Sequence, residues 1–564
     1  MKIGIISINM YSKGLNFACP LHTWAFQQFL IKNGIDCTVL SYKPNYYEGF
    51  NLRHPYEYYK KKYEAKLAKG GTITDPQEQE QYQDNLDYIK EKMELWQPLQ
   101  KEREIRCDKF QDFIDRNYIR TKKCYDSDLL EVEDPGFDCY ICATDVIWKN
   151  TPDFGYDRGF FLGSTCMENK KKIAYAASRG THFATTREET EQFFHYLNDF
   201  DRISVREKTL QQYIEQNSDL PAPVVLDPVL LHERDFYEKI SVKPPEEHYV
   251  LLYYVMEQAK ETIRQAALYA RAHNQKIIEI TDLPVGGGRL AAYPDVDYTL
   301  RYAIGIEEWL GYLLHADCIF TNSFHACCFS ILFEKPFFAG HRNSEKVALI
   351  LDAFGLSHRK LKSKGNPVEN PPAPIDYEHV RTLLAQKRTE SSDFILGAIR
   401  QAERTERRPQ NYSAFKRKLV YRVQYNSGKV SDAFSSGWDE TEGILKKLPS
   451  GSLEYIPYAA DKQNDGTSHL APNQYRLPNH RFVGWRIRIQ IDHRWFWIGT
   501  NDRLLLRKDA KGAPPEKLHI FQDEEVLPYL PVNRIRYMVA EAIWEPILPL
   551  KLLRKLKHLP EQFR

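Results

Sequence analysis

The chain has 564 residues, enough for roughly three or four domains at ~150 residues each. A hydrophobic share of 42%, a charged share of 27% and a formal net charge of +2 are those of an ordinary globular protein. They give no whole-chain attraction to nucleic acid, and no nucleic-acid partner is expected.

Aromatic content is high at 13%, with 35 Tyr and 9 Trp. Such side chains are mostly core, although an excess also suits surfaces that stack on sugar rings. Met1-Lys2 and the short apolar run Ile3 to Ile8 read as a first strand rather than a signal peptide. No run approaches the ~18 apolar residues of a membrane span. All ten Cys precede residue 329 and fall in predicted strands and helices. Cys139 and Cys142 form a CxxC inside an apolar strand without a second pair at metal spacing. They read as buried thiols in a reducing cytoplasm, and no metal or cofactor is expected.

In chain order, strand 2–8, amphipathic helix 16–33, Gly34 and strand 37–41 make one β-α-β unit of a parallel sheet. The loop from Asn9 to Asn16 lies at the carboxyl end of the first strand, the ligand side of an open α/β sheet. It holds only Gly14, so a dinucleotide fingerprint is absent. Residues 45–120, dense in Tyr, Lys and Glu, read as a helical insertion with Gly70-Gly71 as a turn. Strand 138–143 runs into Thr144-Asp145, and strand 172–177 ends in Ser178-Arg179-Gly180. Helix 188–197 precedes strand 202–206, which carries Arg206 at its carboxyl end.

A second lobe starts at Tyr249. It continues through helix 261–273, strand 276–280, the loop Gly286 to Arg289 and helix 306–315. The glycines lack the G-K-[ST] of a P-loop and read as a cover or linker. Residues 363–375 read as loop, with two helices expected beyond it to about Arg408. From about 420 the texture turns to β: Trp485 to Ile491 alternates strictly, and Arg494 to Ile498 follows. The expected domains are 1–245 with the insertion at about 45–120, 246–410, a β-rich accessory region 411–540, and a basic amphipathic tail 541–564. The tail is read as docking on the body or, alternatively, making peripheral contact with the inner face of a membrane.

The most informative stretch is Asp317 to Phe338. A buried strand breaks at Thr321-Asn322-Ser323 and resumes as an apolar helix from Phe324 to Phe333, stopped by Pro336. A strand turning straight into a helix leaves free N–H groups and a positive dipole end, a ready anion site, with His325 in the first turn.

Several ordered blocks over about residues 1–405 resemble the polysaccharide pyruvyl transferase family. Asn16 to Ala25 (N-F-A-C-P-L-H-T-W-A) is similar to the family's N-Y-G-x-x-L-Q-x-Y-A, and Thr144 to Trp148 to its S-D-Q-x-W. Ala174 to Ser178, Ile203 to Glu207, Leu226-Asp227-Pro228 and Thr321 to Ala326 with Phe329-Ser330 and Lys335-Pro336 follow in the family's order. The resemblance implies an α/β fold of two Rossmann-like lobes, glycosyltransferase-B-like, and a reaction in which phosphoenolpyruvate gives its carbon skeleton to sugar hydroxyls as a ketal. It matches Arg206 to the arginine that holds the donor and His325 to the histidine at the helix start.

Those residue types suit the chemistry. A bidentate arginine and a helix N-terminus fit a multiply charged donor, and a histidine can act as acid or base near neutral pH. Asn322 and Ser323 are expected at donor oxygens, and Arg179 is a further substrate-binding candidate. Asp145 and Asn16 are candidates for the sugar or oligosaccharide acceptor, a lipid-linked form being one it takes, and His22 is a further substrate-binding candidate. The family's frequent arginine two residues before the histidine is Ser323 here, which leaves that phosphate contact missing or supplied elsewhere. Ala18 and Ala143 replace glycines, and His22 replaces the glutamine. Structural alternatives stand beside these roles: Arg206 as an ion pair with a carboxylate such as Asp227, His325 as a capping or core histidine, and Trp148 as packing. Two other functions stay open, a nucleotide-sugar-dependent glycosyltransferase and a non-catalytic glycan-binding or assembly protein. Against the first, Glu334 and Glu345 are the only glutamates in 317–356, without the close pair of retaining enzymes.

Overall fold

A computed structural model of the chain describes residues 1–9, 14–47, 50–68, 76–151, 154–167, 170–180, 186–255, 259–282, 290, 293–340, 345–362, 367–368 and 373–405. Beyond these it describes 418–424, 430–432, 468–469, 480–491, 494–500, 504–506, 518–522, 525–527 and 535–546. The expected turn at Gly70-Gly71, the Gly286–Arg289 loop and the tail from 547 onward lie outside the described residues. The chain forms two compact units. One comprises residues 1–127, 136–163 and 170–407, the other 128–135, 164–169 and 408–564.

The first unit holds two parallel sheets. In the first, the strand order is Arg120–Tyr125, Cys37–Tyr42, Ile3–Ser7, Cys139–Asp145, Lys171–Ala177, Arg202–Val205. This is the doubly wound Rossmann order, and it reverses direction between Ile3–Ser7 and Cys139–Asp145. The second sheet runs Tyr298–Leu300, Lys276–Thr281, Tyr249–Tyr254, Cys318–Thr321, Phe337–Ala339, with its reversal between Tyr249–Tyr254 and Cys318–Thr321. The central strands are buried along their full length, as strands covered by helices on both faces must be. Two Rossmann-like lobes follow.

Local chemistry sets the connections. Helix Ala18–Lys32 ends in Asn33-Gly34, and Gly34, at φ 76° with open space where a Cβ would lie, turns the chain toward Cys37–Tyr42. The insertion contains helices Pro55–Leu67, Pro76–Trp96 and Gln100–Asn117. The last two are separated by a 3-10 turn, Gln97–Leu99, where Pro98 cannot supply a backbone donor. Strand Arg120–Tyr125 has mostly exposed polar residues and carries no hydrophobic signature; its two lysines suit a sheet edge.

One hydrophobic core runs through both lobes. Phe17 stacks on Trp309 at 5.4 Å between ring centroids, and the Arg106 guanidinium lies 4.2 Å over Phe17. Arg106 also donates to the carbonyls of Leu15 (2.9 Å) and Thr281 (2.8 Å), so the last insertion helix ties the lobes together. Where two helices were expected before Arg408, a single helix, Tyr377–Arg404, runs back to the first lobe. Its Ser391 hydroxyl accepts from Leu226 N–H at 2.9 Å, and Arg388 donates to the carbonyls of Leu230 and His232. No helix among the described residues is long and apolar enough to cross a membrane.

The second unit contains a six-stranded sheet ordered Val430–Asp432, Lys418–Gln424, Ile535–Pro546, His480–Ile491, Arg494–Ile498, Leu504–Leu506. Ile535–Pro546 runs across the boundary expected at 540, because it pairs with His480–Ile491 along nearly its whole length. Trp485 and Trp497 are buried in this unit, with Arg486 and Arg488 over the Trp497 ring. Helix Leu129–Val132, far earlier in sequence, packs on Leu504–Leu506.

Candidate active site

The carboxyl ends of the two central strand pairs bring together Thr144-Asp145 from the first lobe and Thr321-Asn322-Ser323 from the second. Thr144 (φ 51°) and Asp145 (φ 64°) are consecutive left-handed non-glycine residues, a conformation that costs about 1–3 kcal/mol per residue and recurs where function needs it. Ser323 caps helix Phe324–Leu332, its hydroxyl accepting from Ala326 N–H at 3.4 Å.

The centre of the cluster is Asp227, in the segment Leu226-Asp227-Pro228 that leads toward the second lobe. Its Oδ2 accepts from Arg206 Nη1 at 2.9 Å and from the Thr144 hydroxyl at 3.0 Å, and lies 3.3 Å from His325 Nε2. Its Oδ1 accepts from Val229 N–H at 3.2 Å. Burial alone would raise the Asp227 carboxyl, but His325 and Arg206 outweigh it and hold it well below the usual carboxylate range. A carboxylate is an acceptor only, so the Nε2 of His325 facing it carries the proton.

Arg206 also donates through Nη2 to Asp145 Oδ1 at 3.0 Å, and its Nε lies 3.6 Å from Glu207 Oε1. Its guanidinium sits 4.5 Å over the Phe324 ring. Burial would lower its pKa, yet Asp145, Glu207 and Asp227 together raise it above the ordinary arginine value. Glu207 in turn accepts from the Ser178 hydroxyl at 2.5 Å and pairs with Lys346 at 3.5 Å. For Asp145, too, burial is overcome, here by Arg206 and Lys346, and the carboxyl stays ionised far into acid. Its side chain remains 20% exposed, against 2% for Arg206.

His22, on helix Ala18–Lys32, lies with its ring 5.8 Å from that of His325. Burial pushes its pKa down to about 4, so it is neutral at physiological pH. The donor atoms of Cys19, His22 and Asp145 all lie within 4.8 Å of one another.

Of the residues singled out in the sequence, His325, Arg206, Asp145 and His22 converge. Three others make contacts within the protein. The Asn322 amide bridges to Val255 at the end of strand Tyr249–Tyr254, accepting from its N–H at 2.8 Å and donating to its carbonyl at 3.1 Å. Arg179 is buried in an aromatic box, 4.1 Å over Phe193 and 5.2 Å over Tyr213, and donates to the Tyr156 hydroxyl at 2.9 Å. That box packs Arg179 into the first lobe. Asn16 turns its Oδ1 onto Ala18 N–H at 3.0 Å. The ion pair between Arg206 and Asp227, weighed as the structural alternative, is present. Sequence reasoning passed over Thr144, Glu207 and Lys346, polar residues at element ends with no local sign of their partners. Trp148 is fully buried against Phe161, Phe193 and Phe200, as packing.

The sequence profile of the family described as "Polysaccharide pyruvyl transferase" matches residues 21–339, a stretch containing His22, Asp145, Arg206, Asp227 and His325. The chain belongs to the polysaccharide pyruvyl transferase family. It is therefore a transferase of polysaccharide biosynthesis. A search of curated proteins gave no match. Among solved structures, the UDP-N-acetylglucosamine 2-epimerase of Rickettsia bellii is similar at 12% identity over 72% of this chain and 97% of that one, with a TM-score of 0.34. The UDP-GlcNAc 2-epimerase of Neisseria meningitidis is similar at 10% identity over 71% and 100%, with a TM-score of 0.36.

Proposed function

We propose that this transferase moves the carbon skeleton of phosphoenolpyruvate onto two hydroxyls of a sugar, as a pyruvyl ketal. The acceptor is a cell-surface polysaccharide or its lipid-linked precursor, which sets the reaction at the cytoplasmic face of a membrane. The observation that carries this reading is the Asp227–His325 pair, its histidine in the first turn of a helix at the sheet's reversal point, inside the stretch matched by the family.

The chemistry falls into two steps. One sugar hydroxyl adds to C2 of the enol phosphate, and its proton passes to the methylene carbon, which becomes a methyl. A second hydroxyl then bonds to C2 as the bond from C2 to the phosphate oxygen breaks, and its proton leaves with the phosphate. Both steps need a group that exchanges a proton with a hydroxyl near neutral pH. His325 suits it: Asp227 fixes the ring through Nε2–H and leaves Nδ1 to take and return the proton. Donor charge is met by the N-terminus of helix Phe324–Leu332. Arg206 is engaged by Asp145 and Asp227, so its part is to order those carboxylates, leaving Asp145, the more exposed, for an acceptor hydroxyl.

The test is to incubate the protein with phosphoenolpyruvate, or with a panel of nucleotide sugars, together with lipid-linked oligosaccharide. Phosphate release that requires both phosphoenolpyruvate and acceptor, and that falls about 10²–10⁴-fold in His325→Ala, is the expected result. Release of nucleoside diphosphate instead would replace this reading with a glycosyltransferase. Glycan binding without turnover, unchanged in His325→Ala, would replace it with a non-catalytic role.

A further inference from the structure

We propose that Cys19, His22 and Asp145 form a binding site for a divalent metal ion of the zinc class. The thiol, imidazole and carboxylate lie within 4.8 Å of one another, close enough for small side-chain rotations to bring all three to the ~2.0–2.3 Å of zinc bonds. Cys19 and His22 stand three residues apart in helix Ala18–Lys32 and share one face of its first turn. Asp145 arrives from the carboxyl end of strand Cys139–Asp145. Cys19 is 4% exposed and His22 fully buried.

The imidazole supplies an independent sign. His22 Nδ1 lies 3.3 Å from the Thr23 hydroxyl oxygen, which itself has the carbonyls of Ile8 and Cys19 as acceptors for its own proton. The Ser7 hydroxyl is a third acceptor, so Thr23 can place its own proton elsewhere and accept from Nδ1–H, the tautomer that leaves the lone pair on Nε2. That atom is buried and has no hydrogen-bond partner among the described residues. A buried imidazole nitrogen without a hydrogen-bond partner, beside a second nitrogen held by a hydroxyl, is an arrangement that a metal ion would complete. Asp145 is fixed in the same manner, its Oδ1 accepting from Arg206.

Charge points the same way. Among the described residues around Cys19 and Asp145, the carboxylates Asp145, Glu207, Asp227 and Asp282 are set against Arg206, Lys149 and Lys346, one carboxylate more than the cations. A dication offsets that surplus. One sulfur, one nitrogen and one oxygen donor select zinc over magnesium or calcium, which prefer all-oxygen shells. Three protein ligands leave one position of a tetrahedral ion open, and the His325 ring lies 5.8 Å from that of His22. The inference does not depend on which donor the enzyme uses, because its readout is metal content rather than turnover.

The experiment strips the full-length protein with a chelator, reloads it with zinc, dialyses it against metal-free buffer and measures zinc by elemental analysis. One zinc per folded chain is expected, with affinity at least about 10-fold weaker in Cys19→Ser and in His22→Gln. X-ray absorption at the zinc edge of the unsubstituted protein should show one sulfur with nitrogen and oxygen neighbours, which decides the matter even where a substituted chain fails to fold. No retained zinc, undiminished zinc in both folded variants, or a shell with no sulfur or several sulfurs overturns the proposal.

Discussion

Four groups converge on the Asp227 carboxylate: Arg206, Thr144, His325 and the Val229 amide. Asp227→Asn keeps the shape and removes the charge. Arg206 then retains Asp145 and Glu207, while His325 loses the charged acceptor that sets its tautomer. Stability should fall by roughly 3 kcal/mol, the lower end for breaking a buried pair, and turnover by about 10²-fold or more. Denaturant titration and phosphate release measure the two separately; unchanged turnover would remove Asp227 from the chemistry. A second residue-scale prediction concerns His232, whose Nε2 lies 2.7 Å from Ala25 O and whose ring stacks on Phe236 at 3.8 Å. Burial holds its pKa down at about 4, against ~6.5 in the unfolded chain. Between those values the unfolded state binds more protons, so this contribution is complete above pH ~6.5 and declines as pH falls toward 4. It amounts to at most roughly 3 kcal/mol, and urea titrations at pH 7 and pH 5 should differ less in His232→Gln than in the parent. The depressed carboxyls of Asp145 and Asp227 act in a lower window, since their contribution is lost only once pH drops below the ordinary carboxylate range.

At the scale of elements, glycines in two helices should respond in opposite directions. A Cβ on Gly311, in helix Ile306–His315, would lie 1.8 Å from the carbonyl oxygen of Val242, backbone that has no room to yield. Gly311→Ala should destabilise by about 1–3 kcal/mol or more. In helix Tyr377–Arg404 a Cβ on Gly397 meets nothing within 4 Å, so Gly397→Ala should stabilise by about 0.5–1 kcal/mol. Thermal melts of both would check the pair. The β-α alternation of both lobes was legible because apolar runs, Gly34 and the cap at Ser323 are local signals. Strand Arg120–Tyr125 was not, because its polar edge carries no alternation. Helix Tyr377–Arg404 was read as two because its amphipathic pattern does not reveal how far a helix must reach to meet Leu226 and Leu230.

For the whole molecule, the β-rich unit is not a bead on the end of the chain. It includes residues 128–135 and 164–169, and helix Leu129–Val132 packs on strand Leu504–Leu506. Truncation after Arg407 should therefore expose the buried Leu130 and lower soluble yield and melting temperature, rather than release an intact catalytic unit. A truncated chain as stable and active as the full one, by melting and phosphate release, would show that these segments do not need their partner strands.

What the sequence determined by itself is the run of strands and helices, the turn at Thr321 to Ser323 with His325 beyond it, and the family to which these blocks belong. Those features reside in residues adjacent along the chain, where propensity, periodicity and capping act. The tertiary structure alone decided that Asp227 is the hub, that Arg206 holds carboxylates, that Asn322 pins Val255, and that Cys19, His22 and Asp145 meet. Thr144 and Asp227 are 83 positions apart, and Asp227 and His325 are 98. Pairing between charges depends on distance through space, and nothing in the order of residues records it until both sheets have folded.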